Sequence, residues 1–243
     1  MQTVHIMWLS IAHIVITIIF LYGVNQMNDR IITVKGIGNV TAKPDLIIIT
    51  MELENTDYSY TGAMHLASGT IDAIRTALVS VGYKKGDLKT TDFNINTDYE
   101  SYKDTKGNWK QKFNGYKCTH KLKLEFDFDM EQLNKTLSAI ASSGASPEFE
   151  ITFSIKDKNA VSEQLLQNAV KNASEKAAVL ADAAGLSLGA IQKIDYSWGE
   201  LRLYSDTKMI EPLCYASDTA PAMDIEPEDI KVNDTVTVVW TIV

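Results

Sequence analysis

The sequence predicts an α+β protein: a mixed, largely antiparallel sheet or pair of sheets packed with one short and two long helices, preceded by an N-terminal membrane-spanning or signal-anchor helix. Three observations carry this. Residues 121–129, KLKLEFDFD, alternate strictly, with Leu122, Leu124, Phe126 and Phe128 on one face and Lys121, Lys123, Glu125, Asp127 and Asp129 on the other, the period of a half-buried strand. Between 58 and 81, Tyr60, Met64, Ala67, Ile71, Ile74, Leu78 and Val81 recur three or four apart, the period of an amphipathic helix. Strand and helix periods then succeed one another so that hairpins and single crossovers mix, which favours α+β over a doubly wound parallel sheet.

The first element is apolar. Residues 6–24, IMWLSIAHIVITIIFLYGV, contain no Lys, Arg, Asp or Glu, and as a helix would span about 28 Å, close to a bilayer's hydrocarbon thickness. The run is longer than a usual signal-peptide apolar region and no small-x-small site follows, which favours a retained anchor over a cleaved signal. Arg30, Lys35 and Lys43 follow the segment and none precedes it, so the charge rule weakly opposes export. His5 and His13 read as an interfacial and a helix-face residue. Residues 1–30 are thus an anchor and linker, and 31–243 one further domain.

That domain opens with a β-branched strand at 31–35 and a second at 46–54, LIIITMELE. The helix over 58–81 stops at Gly82. Strands at 88–97 and 113–129 flank a polar loop, DYESYKDTKGNWKQ. A short helix over 130–143 turns Met130, Leu133, Leu137 and Ile140 inward, and 148–156 is a strand. The long helix over 158–184 carries a stripe of Ala169, Ala173, Ala177, Leu180 and Ala184, small enough for close packing. A strand at 188–198 follows. Residues 205–230 are acidic, with three prolines and Lys208 as sole cation, and read as a solvated loop over the sheet. Residues 235–243 are a β-branched closing strand.

A net charge of −8 and a pI near 5.0 argue against general nucleic-acid binding, which needs Lys and Arg in excess. Cys118 and Cys214 lack the close pairing of a zinc or thioredoxin-type motif; they are either free or bridged. No metal or cofactor site is expected.

Two motifs invite chemistry and fail on context. VKGIGNVTAKPD, at 34–45, holds Gly36 and Gly38 one residue apart, but a dinucleotide loop needs a third glycine and a helix start, and a strand follows instead. These glycines read as permitting a twist or turn between two strands. GLSLG, at 185–189, matches a nucleophile elbow, yet the helix precedes the serine and the strand follows, the reverse of what the elbow needs. Gly185 reads as a helix C-cap, and Ser187 is no nucleophile. Asp127 and Asp129 follow from strand alternation. His65 and His120 read as surface or satisfied core histidines.

Taken in order, five stretches resemble the bacterial SIMPL-domain family: ITVKGIGNVTAKPDLIIITMELE, LKTTDFNI, FNGYKCTHKLKLEF, AVKNASEKAAVLADAAGLSLGAIQKI and DIEPEDIKVNDTVTVVWTIV. Together they cover nearly all of 31–198 and 224–243. Glu228 departs from the glycine that usually follows the family's proline. The resemblance implies an exported, envelope-associated α+β protein without established catalytic activity. Some members are linked to oxidative-stress tolerance or to oligomeric assemblies. It also implies an extracytoplasmic domain and supplies no catalytic residues.

The functional expectation is therefore a non-enzymatic, membrane-anchored module acting by self-assembly or binding, with a homo-oligomer and the membrane, through 6–24, as partners. The contact surface expected is the 98–116 hairpin, with the aromatics Tyr99, Tyr102, Trp109, Phe113 and Tyr116 as contact candidates, since such residues concentrate at interface cores. The alternative for these residues is that they cover the protein's own sheet. The rival function is a metal-dependent hydrolase using the acidic 205–230 segment, and a third reading is a passive envelope spacer.

Overall fold

The computed structural model describes residues 30–197, 199, 201–212 and 225–243. The apolar segment 6–24, Trp198 and Cys214 lie outside them. Eleven elements follow one another: β1 (Ile31–Ala42), β2 (Leu46–Asp57), α1 (Tyr60–Ser80), β3 (Lys89–Lys103), β4 (Trp109–Asp127), α2 (Met130–Ser142), β5 (Glu148–Ser154), α3 (Lys158–Ala183), β6 (Leu188–Asp195), β7 (Tyr204–Pro212) and β8 (Ile230–Ile242). This is mixed α+β with antiparallel sheets, one short helix and two long ones, as the periodicities require. No described helix is long and apolar enough to cross a membrane.

The chain divides into two compact units. One holds a five-stranded sheet in the order β3-β4-β2-β5-β7, with α1 and α2. Here β2 is central, antiparallel to β4 from Leu46↔Asp127 to Asp57↔Tyr116, and antiparallel to β5 from Leu46↔Ser154 to Glu52↔Glu148. Its inward residues Ile47, Ile49, Met51 and Leu53 meet Ile71, Ile74 and Leu78 of α1 and Leu133, Leu137 and Ile140 of α2 in one core. Side-chain caps set where the helices begin. Ser59 accepts the Gly62 amide at 3.0 Å for α1, and Asp129 accepts the Gln132 amide at 3.0 Å for α2. Gly82, at φ +105°, follows the end of α1.

The α1 stripe is shifted from the predicted one. Ala63, Ala67, Ile71, Ile74 and Leu78 are buried, whereas Tyr60 and Met64 are exposed. Sheet contact selects the narrower face that includes the small Ala63, and the larger Tyr60 and Met64 flank it.

The other unit holds the three-stranded sheet β1-β8-β6, with β6 antiparallel to β8, and helix α3. The buried stripe of α3 runs Val161, Leu165, Ala169, Ala173, Ala177, Ala181 at intervals of four. Leu180 is exposed and Ala184 lies beyond the helix, so the predicted stripe is correct at three alanines and drifts at its end.

Gly36 and Gly38 sit inside β1, not at a turn between strands. β1 buries Val34, Gly36, Gly38 and Val40 alternately on one face. A Cβ at Gly36 would run into the Ala169 carbonyl oxygen, and one at Gly38 into that of Leu165. The missing side chains let the helix backbone lie directly on the strand. Helix side chains one turn apart then satisfy the strand's backbone. Asn172 Oδ1 accepts the Ile37 amide at 3.0 Å, Asn168 Nδ2 donates to the Asn39 carbonyl at 3.0 Å, and Lys176 Nζ to that of Lys35 at 3.4 Å. β1 is an edge strand, and this row of side chains occupies its outward backbone groups.

Most of the predicted 98–111 loop, and residues 205–212 of the predicted 205–230 loop, are strand. β3 and β4 run on through most of 98–112, and only 104–108 turns. Polar residues tolerate this because the two strands supply each other's backbone partners while side chains on both faces meet water. In the acidic stretch, β7 pairs with β5 from Glu148↔Pro212 to Ser154↔Tyr204 as the sheet's far edge. A solvated loop was the expectation there, but an edge strand needs only one partner and accepts the same polar composition.

Candidate interaction surface

The long hairpin outruns its sheet. β2 ends at Asp57, opposite Tyr116. Residues 109–115 of β4 therefore have β3 as their strand neighbour and, among the described residues, no strand paired on the other side, and form a two-stranded ribbon roughly 20 Å long. Its root is built on Gly115, at φ +134°, whose Cβ would come within 2.5 Å of the Asp57 carbonyl oxygen. Beside it the register slips between Asp98 and Tyr99, with Asn114 as the extra residue of a bulge. Asn114 Nδ2 donates to Asp98 across this bulge.

At the far end Asp104 organises the turn. Its carboxylate accepts the amides of Lys106 at 2.8 Å and Asn108 at 3.0 Å, and Lys110 Nζ lies 3.4 Å away. These amide bonds, that to Asn108 foremost, hold its pKa below the usual carboxylate value. Gly107 takes φ +81° to close the turn.

The five aromatics divide between the ribbon's faces. The pairs Thr97↔Tyr116, Tyr99↔Phe113, Ser101↔Gln111 and Lys103↔Trp109 alternate with Asp98↔Gly115, Glu100↔Lys112 and Tyr102↔Lys110. Tyr99, Trp109, Phe113 and Tyr116 thus share one face, and Tyr102 points the other way. On the shared face an edge-to-face ladder climbs from α1: Tyr60 to Tyr116 at 5.9 Å, Tyr116 to Phe113 at 5.6 Å, Phe113 to Tyr99 at 5.6 Å. Tyr116 also packs on the buried group of Ala63, Ala67 and Cys118. Near the tip, Lys103 Nζ stands 5.0 Å over the Trp109 ring. Phe113 and Tyr116 are half-buried, whereas Tyr99, Tyr102 and Trp109 are 52%, 44% and 70% exposed. Tyr116 and Phe113 cover the protein's own structure, and Tyr99, Tyr102 and Trp109 face solvent.

The other candidates for chemistry have structural partners. Asp127 pairs with Lys156 at 2.8 Å, and Asp129 caps α2. Gly185, at φ +69°, follows α3 as a C-cap, with the Leu186 amide donating to the Ala181 carbonyl at 2.9 Å. In the acidic stretch Lys208 lies 3.5 Å from Glu150, Glu228 pairs with Lys231 at 2.7 Å, and Ser205 Oγ donates to the Glu228 carbonyl at 2.7 Å. Residues 213–224 are outside the described part. Among the described residues, no group of three or more His, Cys, Asp or Glu side chains is placed to hold a metal ion.

His65 is exposed on α1. His120 is buried, with Nε2 at 2.9 Å from Thr90 Oγ1 and its ring edge-to-face with Phe93 at 4.9 Å. Among the described residues its Nδ1 has no hydrogen-bonding partner, so it is a half-satisfied core histidine there, which strand alternation around KCTHKLKL does not reveal. Burial pushes its pKa below the ordinary 6.5, and the Arg75 charge acts in the same direction. Cys118 is fully buried, and burial pushes its thiol up.

Fold and surface together define an α+β protein of antiparallel sheets that projects an aromatic ribbon. Residues 32–240 match the SIMPL family, described as "Protein of unknown function (DUF541)", and the chain belongs to that family. It is similar to the 26 kDa periplasmic immunogenic protein of Brucella melitensis, 29% identical over 173 residues that make up 70% of this chain and 68% of the relative. The protein of that name from Brucella abortus is 28% identical over 173 residues, with the same coverage. Uncharacterized protein YggE of Edwardsiella ictaluri is 20% identical over 211 residues, 87% of this chain and 86% of the relative.

Proposed function

We propose that this chain is a non-enzymatic protein of the bacterial cell envelope that works by self-assembly or binding, with the β3–β4 ribbon as its contact surface. The observation that carries this reading is the ribbon itself. Its outer half has no sheet partner, and it presents Tyr99, Tyr102 and Trp109 to solvent. Isolated two-stranded hairpins are marginally stable, so a long one with exposed aromatics is a feature that a partner would stabilise. The periplasmic description of the Brucella relatives supports an extracytoplasmic place for the domain. The uncharged apolar run at 6–24 supports a retained membrane anchor.

Light scattering behind size-exclusion chromatography on the detergent-solubilised full chain tests assembly. The expected result is one discrete mass several times that of the chain, which falls in Tyr99→Ala/Tyr102→Ala while the circular dichroism spectrum is kept. Tyr99 lies near the root and Tyr102 near the tip, on opposite faces, so the pair disables both faces. A monomeric wild type sinks the assembly form of the reading. An unchanged mass in the double variant removes the ribbon from it.

A further inference from the structure

We propose that the tip of the β3–β4 hairpin is a second membrane contact, which docks end-on at the headgroup level of an anionic phospholipid bilayer. The inference rests on the reading of the ribbon as a contact surface and names a partner for its outer end. The outer rungs and turn, residues 100–112, carry four lysines, Lys103, Lys106, Lys110 and Lys112, against two acids, Asp104 and Glu100, the latter opposite Lys112, in a chain whose net charge is −8. Asp104 is itself engaged by two amides and by Lys110. A local cationic tip on an acidic protein fits an anionic surface.

The aromatics fit the same partner. Tyr102 and Trp109 occupy adjacent rungs of the ladder, Tyr102↔Lys110 and Lys103↔Trp109. They stand at the same height, to within about 3.3 Å, on opposite faces. A protein groove receives one face of a strand pair, whereas a bilayer interface surrounds an end-on ribbon and receives both. Trp and Tyr favour that interfacial level because each carries an apolar body and a polar tip. Lys106, in the apex between these rungs, has its ammonium group free of both the Asp104 pair with Lys110 and the Trp109 ring under Lys103, and it is the cation nearest the lipid phosphates while the rings sit below. The apex, Asp104-Thr105-Lys106-Gly107-Asn108, is polar, so the contact stops at the headgroups.

The test uses the full chain reconstituted into phosphatidylcholine vesicles with and without phosphatidylglycerol, with brominated acyl chains as quencher. The Trp109 contribution is the wild-type emission minus that of Trp109→Phe, which removes the signal of Trp8 in the apolar segment. A blue-shifted Trp109 component that is quenched with phosphatidylglycerol present, and much less without it, is expected. Lys106→Gln/Lys112→Gln weakens docking by about thirtyfold, from about 1 kcal/mol per lysine near an anionic surface.

A Trp109 component unquenched in both vesicles overturns the proposal, as does equal quenching without phosphatidylglycerol. So does a blue shift that grows with protein concentration in the absence of lipid, because a second copy then covers the tip. Light scattering separates the two readings. Absent quenching with the oligomer intact removes the lipid contact alone. Quenching that persists in a monomer removes assembly alone.

Discussion

At the scale of single residues, a glycine's neighbours decide its worth. Gly38 lies under the Leu165 carbonyl of α3, so Gly38→Ala forces the helix off the strand. The expected loss is about 2–3 kcal/mol, typical of overpacking, seen as a melting temperature lowered by roughly 4–12 °C. Gly69, within α1, has nothing within 4 Å of a built Cβ. Gly69→Ala raises stability by about 0.5–1 kcal/mol through helix propensity. Thermal melts of both variants check the contrast, and similar shifts of one sign contradict it. In the sequence Gly38 stands between Ile37 and Asn39 and Gly69 between Ser68 and Thr70, and neither setting tells the two roles apart. The motif at 34–45 excludes a phosphate loop correctly, yet it cannot show that a helix more than a hundred residues onward rests on these positions.

Among elements, α1 and the strands beneath it enclose His120, with Arg75 on the helix and Thr90 on β3 as its polar neighbours. The folded pKa of this histidine lies below the ordinary value of 6.5. Below 6.5 the unfolded chain therefore takes up a proton that the folded one resists. Stability falls as pH drops from about 6.5 toward the folded value, and above 6.5 the group contributes no pH dependence. Denaturant midpoints at about pH 7.5 and about pH 5 are expected to differ less in His120→Gln than in the wild type. An equal difference in both proteins assigns the acid sensitivity elsewhere. In the hairpin, the alternation is legible and correct over 121–127, whereas Phe128 and Asp129 lie beyond β4, with Phe128 exposed, and the outer ribbon is not legible. Its side chains are polar because water meets both faces, and strand there rests on cross-strand pairing that no local pattern encodes.

On the scale of the whole molecule, the small sheet is assembled from the two ends of the domain. β8 is its central strand, between β1 and β6, and buries Val236, Val238 and Trp240 against the alanine stripe of α3. A chain ending before residue 230 is left with two edge strands and no centre. Its β1, α3 and β6 segments are expected to become protease-sensitive, and protection equal to that of the full chain would refute this role for β8. Such closure between distant segments slows folding, because loop entropy is lost before the contacts form.

The sequence by itself determined the class, the helices and most strands, because hydrophobic period is a local property with a direct structural meaning. It also determined the family, through motifs in a conserved order along nearly the whole chain. Tertiary structure alone decided three things. It showed that Gly36 and Gly38 serve a helix bearing, since steric contact between distant segments leaves no local mark. It showed that β7 and the outer hairpin are strands, since edge pairing is supplied by a partner elsewhere in the chain. It also put Phe113 and Trp109 on the face of Tyr116 and Tyr99, because the bulge at Asn114 resets the alternation of β4, and a side chain's direction follows from the register of its own strand pair.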